Sequence, residues 1–114
     1  MHELSVAQGI IDIAEAELKR RGEGRVIAVG VRLGALAALN PDALAFSYEV
    51  ATGDTPLAHS RLDIEWIPVE GSCRACGRNF TVEESLFICP ACGSGDLTVV
   101  RGDELEVEFV EFDS

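Results

Sequence analysis

All four cysteines of the chain lie in two knuckles of one spacing, Cys73-Arg74-Ala75-Cys76 and Cys89-Pro90-Ala91-Cys92. Two thiolates from each knuckle, with residues 77–88 free to form a hairpin between them, match the pattern by which four sulfurs hold a tetrahedral structural zinc and leave no coordination position open. Gly77 and Gly93 follow the knuckles, where glycine lets the backbone take positive φ and bend around an ion. Disulfides or a redox dithiol are the other uses of such pairs. The spacing and a reducing compartment favour metal thiolate over both. A four-sulfur zinc has no place for water or substrate, and the chain carries no Walker loop, Gly-x-Ser-x-Gly elbow or His-Glu-x-x-His helix. No enzyme is expected.

The second chemically suggestive group is Met1-His2-Glu3. The Met1 α-amine and the His2 backbone nitrogen can close a five-membered chelate, and the His2 imidazole Nδ1 closes a six-membered ring on the same backbone nitrogen. Three nitrogens then lie in one plane. A deprotonated amide is a strong-field ligand, which selects nickel(II) or copper(II) in square-planar geometry over zinc. Glu3 can add a backbone or carboxylate contact. The amine and imidazole must lose protons to coordinate, so affinity is expected to drop as the pH falls toward about 6. The duller reading of His2 is an idle, exposed terminus. A zinc-ribbon interaction module with such an inert N-terminus is the alternative function.

These groups need a scaffold. The chain has 114 residues, 47% of them hydrophobic, enough for one modest core and a small accessory module. There is no apolar run of membrane-spanning length, and His2 and Glu3 stand where a secretory signal would carry basic residues, so a cytoplasmic protein is expected. The net charge of -11 argues against nucleic acid as a partner, since residues 71–100 carry only Arg74 and Arg78 against Glu83, Glu84 and Asp96. It suits metal cations or basic protein surfaces.

Leu4, Ala7, Ile11, Ala14 and Leu18 recur at helical spacing, which predicts an amphipathic helix over 4–21 stopped at Gly22 or Gly24. Ser5 reads as its cap, with Met1 to Glu3 an exposed arm ahead of it. Residues 25–33 read as a β-branched strand with Ile27, Val29, Val31 and Leu33 on one face. Asn40-Pro41-Asp42 starts a second helix, about 41–52, whose Leu44, Phe46, Tyr48 and Val50 are expected in the core. Two alternating strands follow: Leu62, Ile64 and Trp66 against Asp63 and Glu65, then Leu105, Val107 and Phe109 against Glu104, Glu106 and Glu108. His59 is expected exposed and Trp66 in the core. The fold class is α+β: a three-stranded sheet with two helices on one face, plus an inserted zinc-ribbon module. The expected domains are 1–70 with 101–114, and 71–100 inserted between strands two and three. So small an insert cannot bury enough apolar surface to fold alone, and zinc is expected to contribute on the order of 10 kcal/mol.

The start Met1-His2-Glu3-Leu4-Ser5, the block Asn40-Pro41-Asp42-Ala43-Leu44 leading to Phe46, the Gly53-Asp54-Thr55 turn, the paired knuckles and Gly102-Asp103-Glu104-Leu105 resemble the HypA/HybF family of hydrogenase nickel-incorporation factors. The resemblance covers essentially the whole chain and departs at Leu36-Ala37-Ala38-Leu39, where relatives often have Ser-Gly-Val. It implies a nickel metallochaperone that serves the large subunit of a [NiFe]-hydrogenase together with a HypB-type GTPase. Urease maturation proteins are further partners of some relatives. By the same resemblance His2, with the terminal amine of Met1 and nearby backbone nitrogens, binds nickel, Glu3 tunes the site, and Cys73, Cys76, Cys89 and Cys92 hold structural zinc. A monomer and a homodimer both remain open.

Overall fold

Helix α1 (Glu3–Arg21) leads into strand β1 (Arg25–Gly34), and a single 3-10 turn at Ala35–Ala37 precedes helix α2 (Pro41–Thr52). Strands β2 (Arg61–Ile67), β3 (Glu70–Cys73), β4 (Asn79–Thr81), β5 (Leu97–Arg101) and β6 (Leu105–Asp113) follow in the computed structural model, which describes residues 2–113. The strands form two sheets, ordered β2-β1-β6 and β4-β3-β5. In the first, β1 is central, parallel to β2 and antiparallel to β6. Two helices, the small sheet and the cysteine module between its second and third strands are the α+β architecture expected. Among the described residues no helix is long and apolar enough to cross a membrane.

One core lies between the helices and one face of the first sheet. Val6, Ala7, Ile10, Ile11 and Ala14 of α1 meet Val26, Val29, Val31 and Leu33 of β1 and Leu44 and Tyr48 of α2. Asn40 caps α2 as its sequence predicts, Oδ1 accepting from the backbone N–H groups of Asp42 (2.9 Å) and Ala43 (3.1 Å). Gly22 closes α1 in the left-handed region at φ 83, with Lys19, Arg20 and Arg21 in the last turn against the negative end of the helix.

Several expectations about faces are corrected. α1 begins at Glu3 with His2 as its N-cap residue, so Ser5 lies inside the helix and there is no free three-residue arm. Leu4 is 58% exposed, because the buried stripe is carried instead by Val6 and Ile10 beside Ala7, Ile11 and Ala14. In α2, Phe46 and Val50 are exposed at 67% and 62%. A spacing of two cannot share a helix face: Leu44, Tyr48 and Thr52, four apart, take the core. Trp66 pairs in register with Leu33 but lies 46% exposed.

In β6 the register with β1 shifts between Gly30↔Phe109 and Val31↔Val107, so Glu108 is an extra residue on the edge strand. The bulge reverses the alternation beyond it. Val107, Val110 and Phe112 pack toward the core, while the Phe109 ring lies over Gly30, where any Cβ would collide with it. Arg32, on the face away from the helices, is shared by Glu65 (3.7 Å), Glu106 (3.2 Å) and Glu108 (3.5 Å).

The chain crosses between the sheets twice, at Pro68-Val69 and Gly102-Asp103. Leu36 donates its N–H to the Gly102 carbonyl (2.9 Å) and Gly34 donates to the Glu104 carbonyl (2.7 Å). Gly102 takes φ 104, and a Cβ there would collide with the Val69 backbone. The Glu104 carboxylate is held below its ordinary range by its own backbone N–H first. The Gly102 N–H, donating to Oε1 at 2.7 Å, pulls the same way.

Candidate metal centre

Each knuckle is built by the same two backbone bonds. In the first, Gly77 N–H donates to the Cys73 carbonyl (2.8 Å) and Cys73 N–H to the Arg78 carbonyl (2.8 Å); in the second, Gly93 N–H donates to Cys89 (2.8 Å) and Cys89 N–H to Ser94 (2.9 Å). Gly77 at φ 80 and Gly93 at φ 74 are the residues that permit the loop, as their position after the cysteines predicts. The first knuckle ends β3 and the second leads toward β5. Pairing of Cys73 with Leu97 in the β3–β5 ladder brings the two together.

The four sulfurs all lie within 4.8 Å of one another, with Cys73 to Cys92 and Cys76 to Cys89 each at 3.6 Å. A tetrahedron of thiolates with bonds of about 2.3 Å has edges of about 3.8 Å, so the set fits a tetrahedral thiophilic ion. The spacing is far too long for disulfides, whose sulfurs approach to about 2.05 Å. Cys73 and Cys89 are buried and Cys76 and Cys92 are exposed.

Burial pushes the Cys89 thiol up, yet backbone N–H groups of Cys92 and Ala91 and sulfur contacts to Cys76 and Cys92 hold it at about 7. Cys92 accepts a hydrogen bond from the Ser94 backbone, which lowers it. Its contact with Cys73, burial, and its contacts with Cys89 and Cys76 outweigh that and push it up to about 12. The crowded set thus favours the thiolate at Cys89 and opposes one at Cys92, because neighbouring thiolates repel each other. A bound cation removes that repulsion.

One positioning residue carried no signal in the sequence. Arg74, inside the first knuckle, donates its N–H to the Asp96 carbonyl (3.0 Å), its Nε to Thr98 Oγ1 (2.9 Å), and pairs its guanidinium with the Asp96 carboxylate (3.6 Å). It ties the knuckle to β5.

At the other candidate site, Met1 lies outside the described residues. His2 is exposed and extended (φ -89, ψ 137), its carbonyl accepts from Val6 N–H (3.1 Å), and its side chain makes no cap hydrogen bond. Glu3 opens the first turn of α1. His59 is exposed at φ 68 and belongs to no cluster of metal-ligating side chains. Among the described residues the cysteines are the one such cluster.

A family model described as hydrogenase/urease nickel incorporation, metallochaperone, HypA matches residues 1–112. The chain belongs to the HypA family. It is 42% identical over 111 residues to the hydrogenase maturation factor HypA of Geobacter metallireducens, covering 97% of this chain and 98% of that one. It is also 42% identical over 112 residues to that of Chloroflexus aggregans, again covering 97% and 98%. The solution structure of the Ni metallochaperone HypA from Helicobacter pylori shares the fold with a TM-score of 0.67 at 24% identity, over 98% of this chain and 97% of that chain. HypA family members are maturation factors rather than enzymes.

Proposed function

We propose that this chain carries Ni(II) at its N-terminus and hands it to the large subunit of a [NiFe]-hydrogenase in the cytoplasm, acting with a HypB-type GTPase, while Cys73, Cys76, Cys89 and Cys92 hold a structural Zn(II). The nickel ligands are the Met1 α-amine, the His2 backbone nitrogen and the His2 imidazole, with Glu3 beside them. On this reading residues 1–70 with 101–114 form the nickel-binding domain and residues 71–100 the zinc-binding domain. Members that serve urease would meet urease maturation proteins instead.

The observation that carries the reading is the placement of His2 in a chain whose family match runs over Met1-His2-Glu3. As an N-cap residue it keeps its own N–H out of the helical ladder, and its imidazole is not consumed in capping. The positive end of α1 favours a deprotonated, anionic amide nitrogen at that position. The helix start thereby promotes the ligand form that nickel requires. Because the ligand set is mostly backbone at the first turn, fraying of that turn would release the ion without moving the core. Zinc, when bound, supplies the positive charge that lets four thiolates coexist, and Arg74 and the two knuckle glycines hold those thiolates in place.

Nickel titration of zinc-loaded protein tests this in three forms: native N-terminus, N-terminally tagged, and His2→Ala. Binding is expected only in the first, with a planar nitrogen-ligand spectrum and affinity that falls toward about pH 6. Equal binding by all three, or nickel–thiolate charge-transfer bands, would refute the assignment.

A further inference from the structure

Among the described residues β6 is the edge of its sheet, paired only with β1, and α1 lies beside it without closing over it. Between them runs an apolar groove of about 340 Å³ lined by Val6, Gly9, Ile10 and Ile13 of α1 and by Leu105 and Val107 of β6. Ile13 is 50% exposed and Leu105 38%. Gly9 is the telling residue. It is exposed in the body of α1, and a Cβ built there would meet nothing within 4 Å. A helix-interior glycine costs about 1 kcal/mol relative to alanine, and nothing in this fold requires it. Its effect is to lower one wall of the groove to bare backbone.

We propose that this groove receives an extended segment of a partner protein in which apolar residues alternate with lysine or arginine, added as a fourth strand on the edge of β6. Residues opposite Leu105 and Val107 would face α1 and fill the groove, since these two stand beside Leu33 and Val31 on the core face. The residue between them would face the other side, where Glu106 and Glu108, together with Glu65, share one guanidinium, Arg32. That side has carboxylate to spare for a cation. The bulge at Glu108 breaks the ladder beyond Val107, so pairing is confined to the end of β6 that borders the groove. A second copy of the chain is a poor occupant, because each copy carries a net charge of -11. The proposal goes beyond nickel binding and does not depend on it.

The test uses the zinc-loaded, isotope-labelled chain with a synthetic peptide of alternating valine and lysine, and an isomer of equal composition with its valines and lysines in separate blocks. The alternating peptide is expected to shift the amide resonances of residues 105–107 and of Val6, Gly9, Ile10 and Ile13, and to slow exchange at the β6 edge. Gly9→Leu, which fills the groove from the helix side, should weaken binding about tenfold to a hundredfold, the worth of one buried side chain. Ile13→Ser should weaken it too and guards against a folding defect in the first variant. His2→Ala should leave peptide affinity unchanged, which separates failure here from failure of the nickel site. Equal binding by the block isomer, with shifts scattered over the acidic surface, would overturn the proposal. So would full affinity in both groove variants, or a peptide-free dimer that Gly9→Leu disperses.

Discussion

Gly34→Ala is the sharpest probe of the junction between the two sheets. A Cβ on Gly34 would overlap the Gly102 carbonyl and lie 2.7 Å from the Glu104 backbone nitrogen, and both obstacles are backbone that no rotamer change can move aside. Relief requires the end of β1 to move away from the Gly102–Glu104 crossing, which strains or breaks the Gly34-to-Glu104 and Leu36-to-Gly102 hydrogen bonds. Two such bonds are worth about 1 kcal/mol each and overpacking about 1–3 kcal/mol more. Alanine recovers about 0.5 kcal/mol through the unfolded state. The net loss is about 2.5–4.5 kcal/mol, or about 10–22 °C in Tm for a domain of this size. Gly53→Ala is the control: Gly53 is right-handed helical at φ -52 and its Cβ would touch only the Val50 carbonyl at 3.5 Å, so it should be neutral or slightly stabilising. Urea unfolding of zinc-loaded protein reads both. Hydrogen exchange should show the Leu36 amide opening more than the Leu44 amide, which is bonded to Asn40 away from the junction. If Gly34→Ala unfolds within about 1 kcal/mol of the parent, the close packing of β1's end on the Gly102 crossing does not hold the junction together and the reasoning fails.

Removing the metal with a strong chelator, or substituting Cys73→Ser, should abolish amide protection across β3, β4 and β5 and leave the α1–β1 core protected. Within residues 70–101 only Gly71, Cys73 and Cys89 are buried, and a metal-free lobe that kept its protection would contradict this. Asn40→Ala should cost about 1 kcal/mol by freeing the Asp42 and Ala43 donors, measured as a shift in denaturation midpoint without a change in slope. Because the folded state holds the Glu104 carboxyl below its unfolded value, the stability it contributes is present above the unfolded value and vanishes as pH falls through the depressed one. Glu104→Gln should flatten that part of the acid limb in a pH-resolved unfolding series, and an unchanged limb would count against the Gly102–Glu104 bond.

How much was legible in the sequence depended on whether the signal was local. Asn40-Pro41 capped α2, and the knuckle glycines took positive φ, because such features are decided within a few residues. The faces of elements were less readable. Phe46 and Val50 were read with a strand's period on a helix. Phe109 left the core because of a bulge at Glu108 that only pairing with β1 defines, and no residue type in 105–110 announces it. Trp66 keeps its alternation yet remains half exposed at the end of β2. At the metal centre the ligand spacing was visible, whereas the tether through Arg74 to Asp96 and Thr98 was not, since it depends on how β5 returns beside β3. At the N-terminus the residue types were visible but the cap was misplaced: His2, not Ser5, precedes the first turn.

The order of strands has a consequence for how the molecule is made. β1 needs β6 on one side and β2 on the other, but β6 follows the cysteine lobe in the chain. During synthesis both knuckles leave the ribosome while the β1–β2 pair still shows an unsatisfied central edge, so ion capture by the thiols can precede completion of the sheet. A chain truncated just before residue 105 would then keep its ion-binding lobe at one end and be aggregation-prone at the other, and restoring the last strand would cure the second condition without touching the first.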